Sequence, residues 1–229
     1  MMRKNTEDMT ENDLSKSVED FLKAVYVLQQ QMERVSTNAL ADALSILPPS
    51  VTDMARRMAD AELVEYQKYR GVILTTKGEA VALRVIRRHR LIELYLVEEL
   101  DYKLHEVHDE AEKLEHAVSE RFIEAISHKL GDPQIDPHGD PIPAADGTML
   151  QRTMIALSEL EVNTPAIISR FTAESSEMLQ HILDRDFKLN EAVRVIARDP
   201  FNGPITALVG TEERVIGHNV ATHILVERT

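Results

Sequence analysis

Four prolines fall within eleven residues, at Pro133, Pro137, Pro141 and Pro143. Each removes a backbone donor and fixes its own φ, so neither a helix nor an interior strand can run through this stretch. It separates a helix-patterned N-terminal part from a strand-patterned C-terminal part. The chain must therefore fold as linked modules and not as one continuous core.

The N-terminal part reads as a short series of helices followed by a hairpin. Phe21, Leu22, Val25, Leu28 and Met32 recur at helical spacing, which predicts an amphipathic helix over 17–33. Ser36 or Thr37 can cap a second helix ending at Leu44. After the turn at Ser45–Pro49, Ser50-x-x-Asp53 has the form of a capping box and predicts a third helix over 50–61, with Val51, Met54, Ala55 and Met58 inward. Residues 63–74 contain two short β-prone runs around Lys68-Tyr69-Arg70-Gly71. Helix, helix, turn, helix, hairpin is the order of a winged helix-turn-helix. A small helical domain with one hairpin is the bland alternative.

Thr76-x-x-Glu79 predicts the cap of a long helix over about 77–98, and a further helical stretch covers about 104–130, stopping at Gly131. Val118, Phe122, Ile123 and Ile126 could face either a dimer partner or an internal core. Beyond residue 150, the runs 192–197, 205–209 and 224–226 look like strands of a small β-barrel. The expected fold is mainly α with α+β elements. Its modules are a winged helix-turn-helix over 1–75, a helical metal-binding and dimerisation domain over 76–147, and an SH3-like barrel over 148–229.

Charge decides between partners. The net charge of −13 argues against a nucleic-acid ligand for the chain as a whole. Residues 50–90 reverse the balance: Arg56, Arg57, Lys68, Arg70, Lys77, Arg84, Arg87, Arg88 and Arg90 stand against Asp53, Asp60, Glu62, Glu65 and Glu79. A local basic footprint on an acidic chain suits duplex phosphate. No apolar run is long enough to span a membrane, and Met1–Ser17 has no signal-peptide core, so a cytoplasmic location is expected. The chain has no cysteine, so any metal must be held by His, Asp and Glu.

Residues 107–116, VHDEAEKLEH, hold such donors at high density. On a helix, His108, Glu112, Glu115 and His116 occupy one face, within an arc of about 100°. His89 and Glu93 share a face of the preceding helix. Acids crowded on one face are unfavourable unless a cation or protons neutralise them. Oxygen donors with imidazole and no sulfur select Mn2+, and less exclusively Fe2+. A solvated acidic surface is the alternative, and His89, within Arg87-Arg88-His89-Arg90, taken alone reads as a phosphate-side or surface histidine, a balance that the pairing of two His/Glu faces changes. A di-metal carboxylate enzyme would need Glu-x-x-His pairs, which the 107–116 helix lacks.

Val107–His116, Arg88-His89-Arg90-Leu91-x-Glu93, Pro49-Ser50-Val51-Thr52 and Asp136-Pro137-His138-Gly139-x-Pro141-Ile142-Pro143 resemble, in order, motifs of the diphtheria-toxin-repressor family. Residues 65–75 resemble the wing of its manganese transport regulators. The resemblance covers 17–145 and weakens beyond 150. It implies a homodimeric repressor of metal-uptake genes that binds a palindromic double-stranded operator in response to metal. No catalytic activity, small-molecule substrate or membrane partner is implied. The primary metal site maps to Asp20, Glu112, Glu115 and His116. Asp20 and Glu112 replace the sulfur donors of the iron-responsive branch, which agrees with Mn2+. The ancillary site maps to His89, Glu93 and His108, with Glu174 and Glu177 as candidates from the barrel. DNA-facing positions are Thr37, Ser50, Thr52, Asp53, Arg56, Arg57, Lys68 and Arg70, although Asp53 suits helix capping better than phosphate contact. The implied switch has metal fixing the N-terminal helix to the dimer-domain helices. An iron-responsive member of the same family and a metal-independent winged-helix regulator are the competing readings.

Overall fold

The computed structural model of the chain describes residues 16–173 and 175–229. The chain divides into two compact units. One ends at Arg88 and includes Ala145–Gly147; the other comprises His89–Ala144 and Thr148–Thr229.

The first unit contains α1 (Lys16–Gln29), α2 (Thr37–Leu44), α3 (Pro48–Asp60), β1 (Val64–Gln67), β2 (Gly71–Leu74) and the start of α4 (Thr76–Leu100). This is the winged helix-turn-helix order. Phe21, Leu22 and Val25 of α1 close over Leu40 of α2 and Val51, Met54, Ala55 and Met58 of α3. Ser36 caps α2 by accepting from the Ala39 N–H at 3.1 Å.

The start of α3 differs from the capping-box expectation. It begins at Pro48 with Leu47 as N-cap, and no side chain caps it. The first helical positions have no intrahelical use for an N–H, so two prolines fit there and start the helix earlier. Ser50 and Asp53 consequently lie inside the helix, and Asp53 pairs with Arg56 at 3.5 Å. The cap of α4 also shifts by one residue: Thr75, not Thr76, accepts from the Gly78 N–H at 3.1 Å. Helix α1 ends at Gln29, earlier than its apolar spacing predicts, and the Gln29 side chain accepts from the Leu74 N–H at 3.0 Å.

The β1–β2 hairpin is antiparallel, with Gln67 opposite Gly71. Val35 exchanges two backbone hydrogen bonds with Val72, at 2.9 and 2.8 Å, and adds a third short segment. Gly71, at φ 99, permits this approach, because a Cβ there would strike the Val35 carbonyl.

In the second unit, the C-terminal part of α4 packs with α5 (Val107–Leu114) and α6 (Glu120–Lys129) around Leu91, Ile92, Ile123, Ile126 and Ile142. The single helix expected over 104–130 is thus broken. Ser119 starts α6 by accepting from the Phe122 N–H at 3.3 Å. Ile123 and Ile126 belong to the internal core, whereas Phe122 is exposed.

The C-terminal sheet has the order β3-β8-β4-β5-β6-β7, and every pairing is antiparallel. Its strands are β3 (Ile155–Ala156), β4 (Ala166–Phe171), β5 (Ala192–Arg198), β6 (Ile205–Val209), β7 (Glu212–Ile216) and β8 (Ile224–Arg228), with α7 (Ser176–Leu183) and α8 (His218–Ala221) between them. Register shifts after Ile168 and Val195 bend the sheet around its core, as an SH3-like module requires.

The 136–140 loop fastens this sheet to the helices. The Phe171 N–H of β4 donates to the His138 carbonyl at 2.8 Å. Asp140 pairs with Arg170 of β4 at 2.6 Å and with Arg90 of α4 at 3.0 Å. Gly139, at φ 93, lies against the Ser169–Arg170 backbone, where a Cβ would collide.

Candidate metal centre and nucleic-acid surface

Helix α4 carries His89 and Glu93 one turn apart, so both point to the same side. Glu93 is 3% exposed, yet three imidazoles surround it. His89 Nε2 lies 2.9 Å and His108 Nδ1 3.3 Å from its Oε1, and His138 Nδ1 lies 3.5 Å from its Oε2. The His89 and His108 rings meet edge to face, with centroids 4.8 Å apart. Burial pushes the Glu93 carboxyl up, but hydrogen bonds from His108, His138 and His89 outweigh it and hold the group well below the carboxylate range. Burial pushes His138 down, and the facing Glu93 overcomes this and raises it. Asp136 is pushed up to about 7 by burial and by the neighbouring charges of Asp140 and Glu93, with His138 and Arg90 opposing.

A second cluster begins on the other face of the same imidazole. His89 Nδ1 lies 2.5 Å from Glu115 Oε2, and His116 Nε2 lies 3.2 Å from Glu115 Oε1. Glu115 is 0% exposed. Glu112, on the exposed side of α5, brings an oxygen within the same 4.8 Å sphere as His89 and Glu115. His89 thus stands between two buried carboxylates. A neutral ring has one N–H and can donate to one of them only. The other contact needs positive charge, from a second proton or from a cation.

The donors fit a divalent metal. Three groups in this unit, His89–Glu93–His108, His89–Glu112–Glu115 and Glu93–Asp136–His138, each bring ligand atoms within 4.8 Å of one another. All donors are oxygen or imidazole nitrogen, the set that suits Mn2+ or Fe2+.

The expected ligands are placed as follows. Glu112, Glu115 and His116 gather in the second unit, and Asp20 lies half-buried on α1 of the first. His89, Glu93 and His108 converge. Glu177 is in the first turn of α7, exposed, with its carboxyl lowered by its own backbone N–H and by Ser175. It is not among the groups that gather at Glu93. Glu174 lies outside the described residues. Asp136 and His138 take part instead. Both stand in the 136–143 motif, but the irregular segment around them has no periodicity from which their direction could be read.

In the first unit, α3 turns Ser50, Asp53, Arg56 and Arg57 to solvent. Thr52 is half-buried, with its hydroxyl donating to the Pro48 carbonyl at 3.1 Å. Thr37 is half-buried in the first turn of α2, and Lys68 and Arg70 are exposed at the hairpin tip.

Family models for a DNA-binding and a metal-binding domain match the chain. Residues 13–72 match the family model described as iron dependent repressor, N-terminal DNA binding domain. Residues 75–144 match the model for the iron dependent repressor metal binding and dimerisation domain, and residues 155–228 match the FeoA domain. The iron-dependent repressor IdeR of Mycobacterium leprae is 29% identical over 229 residues, covering 95% of this chain and 99% of that protein. The transcriptional regulator MntR of Oceanobacillus iheyensis is 34% identical over 110 residues, covering 48% of this chain and 74% of that protein. A solved manganese-dependent transcriptional repressor in complex with manganese is 36% identical, with a TM-score of 0.85 over 93% of this chain and 100% of that one.

Proposed function

Because the chain belongs to the iron dependent repressor family, we propose that it is a Mn2+-activated, dimeric transcriptional repressor that controls metal-uptake genes through a palindromic operator. One observation carries the metal reading. Glu93 and Glu115 are almost fully buried on either side of one imidazole, an arrangement that a cation stabilises and water cannot.

The proposed primary ligands are Glu112, Glu115 and His116, with Asp20 carried over from the family resemblance. The proposed ancillary ligands are His89, Glu93 and His108, joined by Asp136 and His138. A bound divalent cation supplies positive charge to these carboxylates. Without it, the acidic side chains repel one another and their elements gain freedom. His89 orients both clusters: when its Nε2 is engaged, its Nδ1–H is directed at Glu115 and fixes that carboxylate. Glu112 and Asp20 supply hard oxygen, and this favours Mn2+ over the softer-donor iron reading. Arg56, Arg57, Lys68 and Arg70 neutralise phosphate, and the two copies of α3 in a dimer address major grooves about 34–36 Å apart or a multiple of that distance. The activity is binding, not catalysis, and its place is the cytoplasm, where the operator lies.

Calorimetric titration with Mn2+, Fe2+, Zn2+ and Co2+, followed by mobility shifts on promoter duplexes, tests this reading. DNA affinity is expected to rise about 5–150-fold on metal addition, the span of ordinary allosteric couplings. Equal affinity in chelator and in Mn2+ would sink the metal switch. A larger response to Fe2+ would move the chain to the iron-responsive branch.

A further inference from the structure

The tip of the β1–β2 hairpin holds a side chain where ordinary folding would not put it. Tyr69 is 92% exposed and has φ 67. That left-handed conformation suits Gly or Asn, and a bulky aromatic adopts it against steric resistance. Strain of this kind persists where function requires it. The described contact of the ring is with its neighbour: the Lys68 ammonium lies 4.8 Å from the ring centroid.

The base of the hairpin is rigid. The Arg70 N–H donates to the Gln67 carbonyl at 3.0 Å, and Val72 is bonded to Val35 in both directions. Gly71 lies hard against the Val35 carbonyl. The tip therefore projects from the body that carries α3, and its ring is flanked by two cations, Lys68 and Arg70. A second fully exposed aromatic provides a contrast. Phe201, 101% exposed at φ 59, tops the β5–β6 hairpin beside Asp199, without a base in the turn. Among the described residues, only Tyr69 combines strain, exposure and positive flanks.

We infer that Tyr69 is a DNA-contacting residue that enters the minor groove next to the major groove occupied by α3. Its ring lies edge-on against deoxyribose and base edges, while Lys68 and Arg70 engage the phosphates of the two groove walls. A groove about 6 Å wide admits a flat ring but no helix. The contact is tolerant of sequence, since every nucleotide offers an apolar sugar face, and it adds affinity without fixing the operator. This inference rests on the DNA-binding reading above.

The chain contains no tryptophan, so Tyr69→Trp creates a single fluorescent reporter in the full-length protein. The probe is a set of duplexes selected by the wild-type protein, with Mn2+, from a random-sequence pool. On binding, emission from the introduced indole should be quenched and the ring shielded from iodide. Tyr69→Gly should raise the melting temperature, because strain is released, yet weaken DNA binding about 5-fold, the low end of the range for aromatic–base stacking, since this ring makes edge contacts and does not stack. Tyr69→Phe should bind like wild type. Unchanged affinity in Tyr69→Gly, with the indole of Tyr69→Trp still open to iodide in the complex, would overturn the inference while leaving the repressor reading intact. A wild-type protein that selects no duplex would remove both.

Discussion

Replacing His89 with phenylalanine keeps the bulk of the ring and deletes both nitrogens. Two contacts to buried carboxylates disappear, His89 Nε2 to Glu93 at 2.9 Å and His89 Nδ1 to Glu115 at 2.5 Å, both of them hydrogen bonds when the metal-free ring carries its second proton. Hydrogen bonds to charged groups are worth about 1.5–3 kcal/mol each, so the gross loss is about 3–6 kcal/mol. There is also a ceiling. Each of the two stranded glutamates can take up a proton at about 1.4 kcal/mol per pH unit above its ordinary value, roughly 3–4 kcal/mol at pH 7, so the ceiling for the pair lies above the gross loss. The more apolar phenylalanine returns about 1 kcal/mol through burial. The metal-free protein should therefore lose about 2–5 kcal/mol, read by urea unfolding in chelator at pH 7. The pH dependence follows from Glu93, whose carboxyl is held low in the fold by His108, His138 and His89. A depressed carboxyl stabilises the fold above its unfolded value, and this contribution is lost as pH falls through the folded one. The gap between wild type and His89→Phe should be full at pH 7 and close toward pH 3. A loss below about 1 kcal/mol at pH 7, or a gap independent of pH, would refute the view that His89 holds both carboxylates.

Three further perturbations test the surrounding structure. Asp136 rises from an ordinary 3.8 to about 7 and His138 is also raised, so the folded chain holds protons that the unfolded chain releases. Stability contributed by these groups is present at low pH and lost as pH rises, and the melting temperature of the metal-free protein should fall between pH 5 and pH 8. Gly139→Ala forces a Cβ onto the Ser169–Arg170 backbone and breaks the Phe171-to-His138 hydrogen bond; chemical denaturation should show a loss of about 2–4 kcal/mol. Arg56→Ala and Arg57→Ala should each weaken binding on every duplex alike and lower the salt slope of a DNA titration by about 1.

Much of the first unit was legible because local rules decide it. Ser36 caps α2 as its type and position predict, and the apolar face of α3 is the buried one. The same rules misplaced the start of α3, since Ser50-x-x-Asp53 imitates a capping box and Pro48-Pro49 outranks it by accepting the first helical positions. The break at Ser119 was hidden by apolar residues that keep helical spacing on both sides of it. Strands β5, β6 and β8 showed as apolar runs. β7 did not, because Glu212, Glu213 and Arg214 make an edge strand look like a loop. At the candidate site, donors on one helix face could be sorted by period. The arrival of Asp136 and His138 beside Glu93 depends on how an irregular loop is seated on β4, and no period encodes that.

The double duty of residue 89 bears on how such proteins diverge. Two donor sets on separate helices would be free to drift, one decaying while the other kept its selectivity. Here a single codon serves both, so a lineage that abandons one set must still preserve the histidine for the other. Descendants with one surviving set should therefore keep this imidazole long after the carboxylate it no longer needs has been replaced.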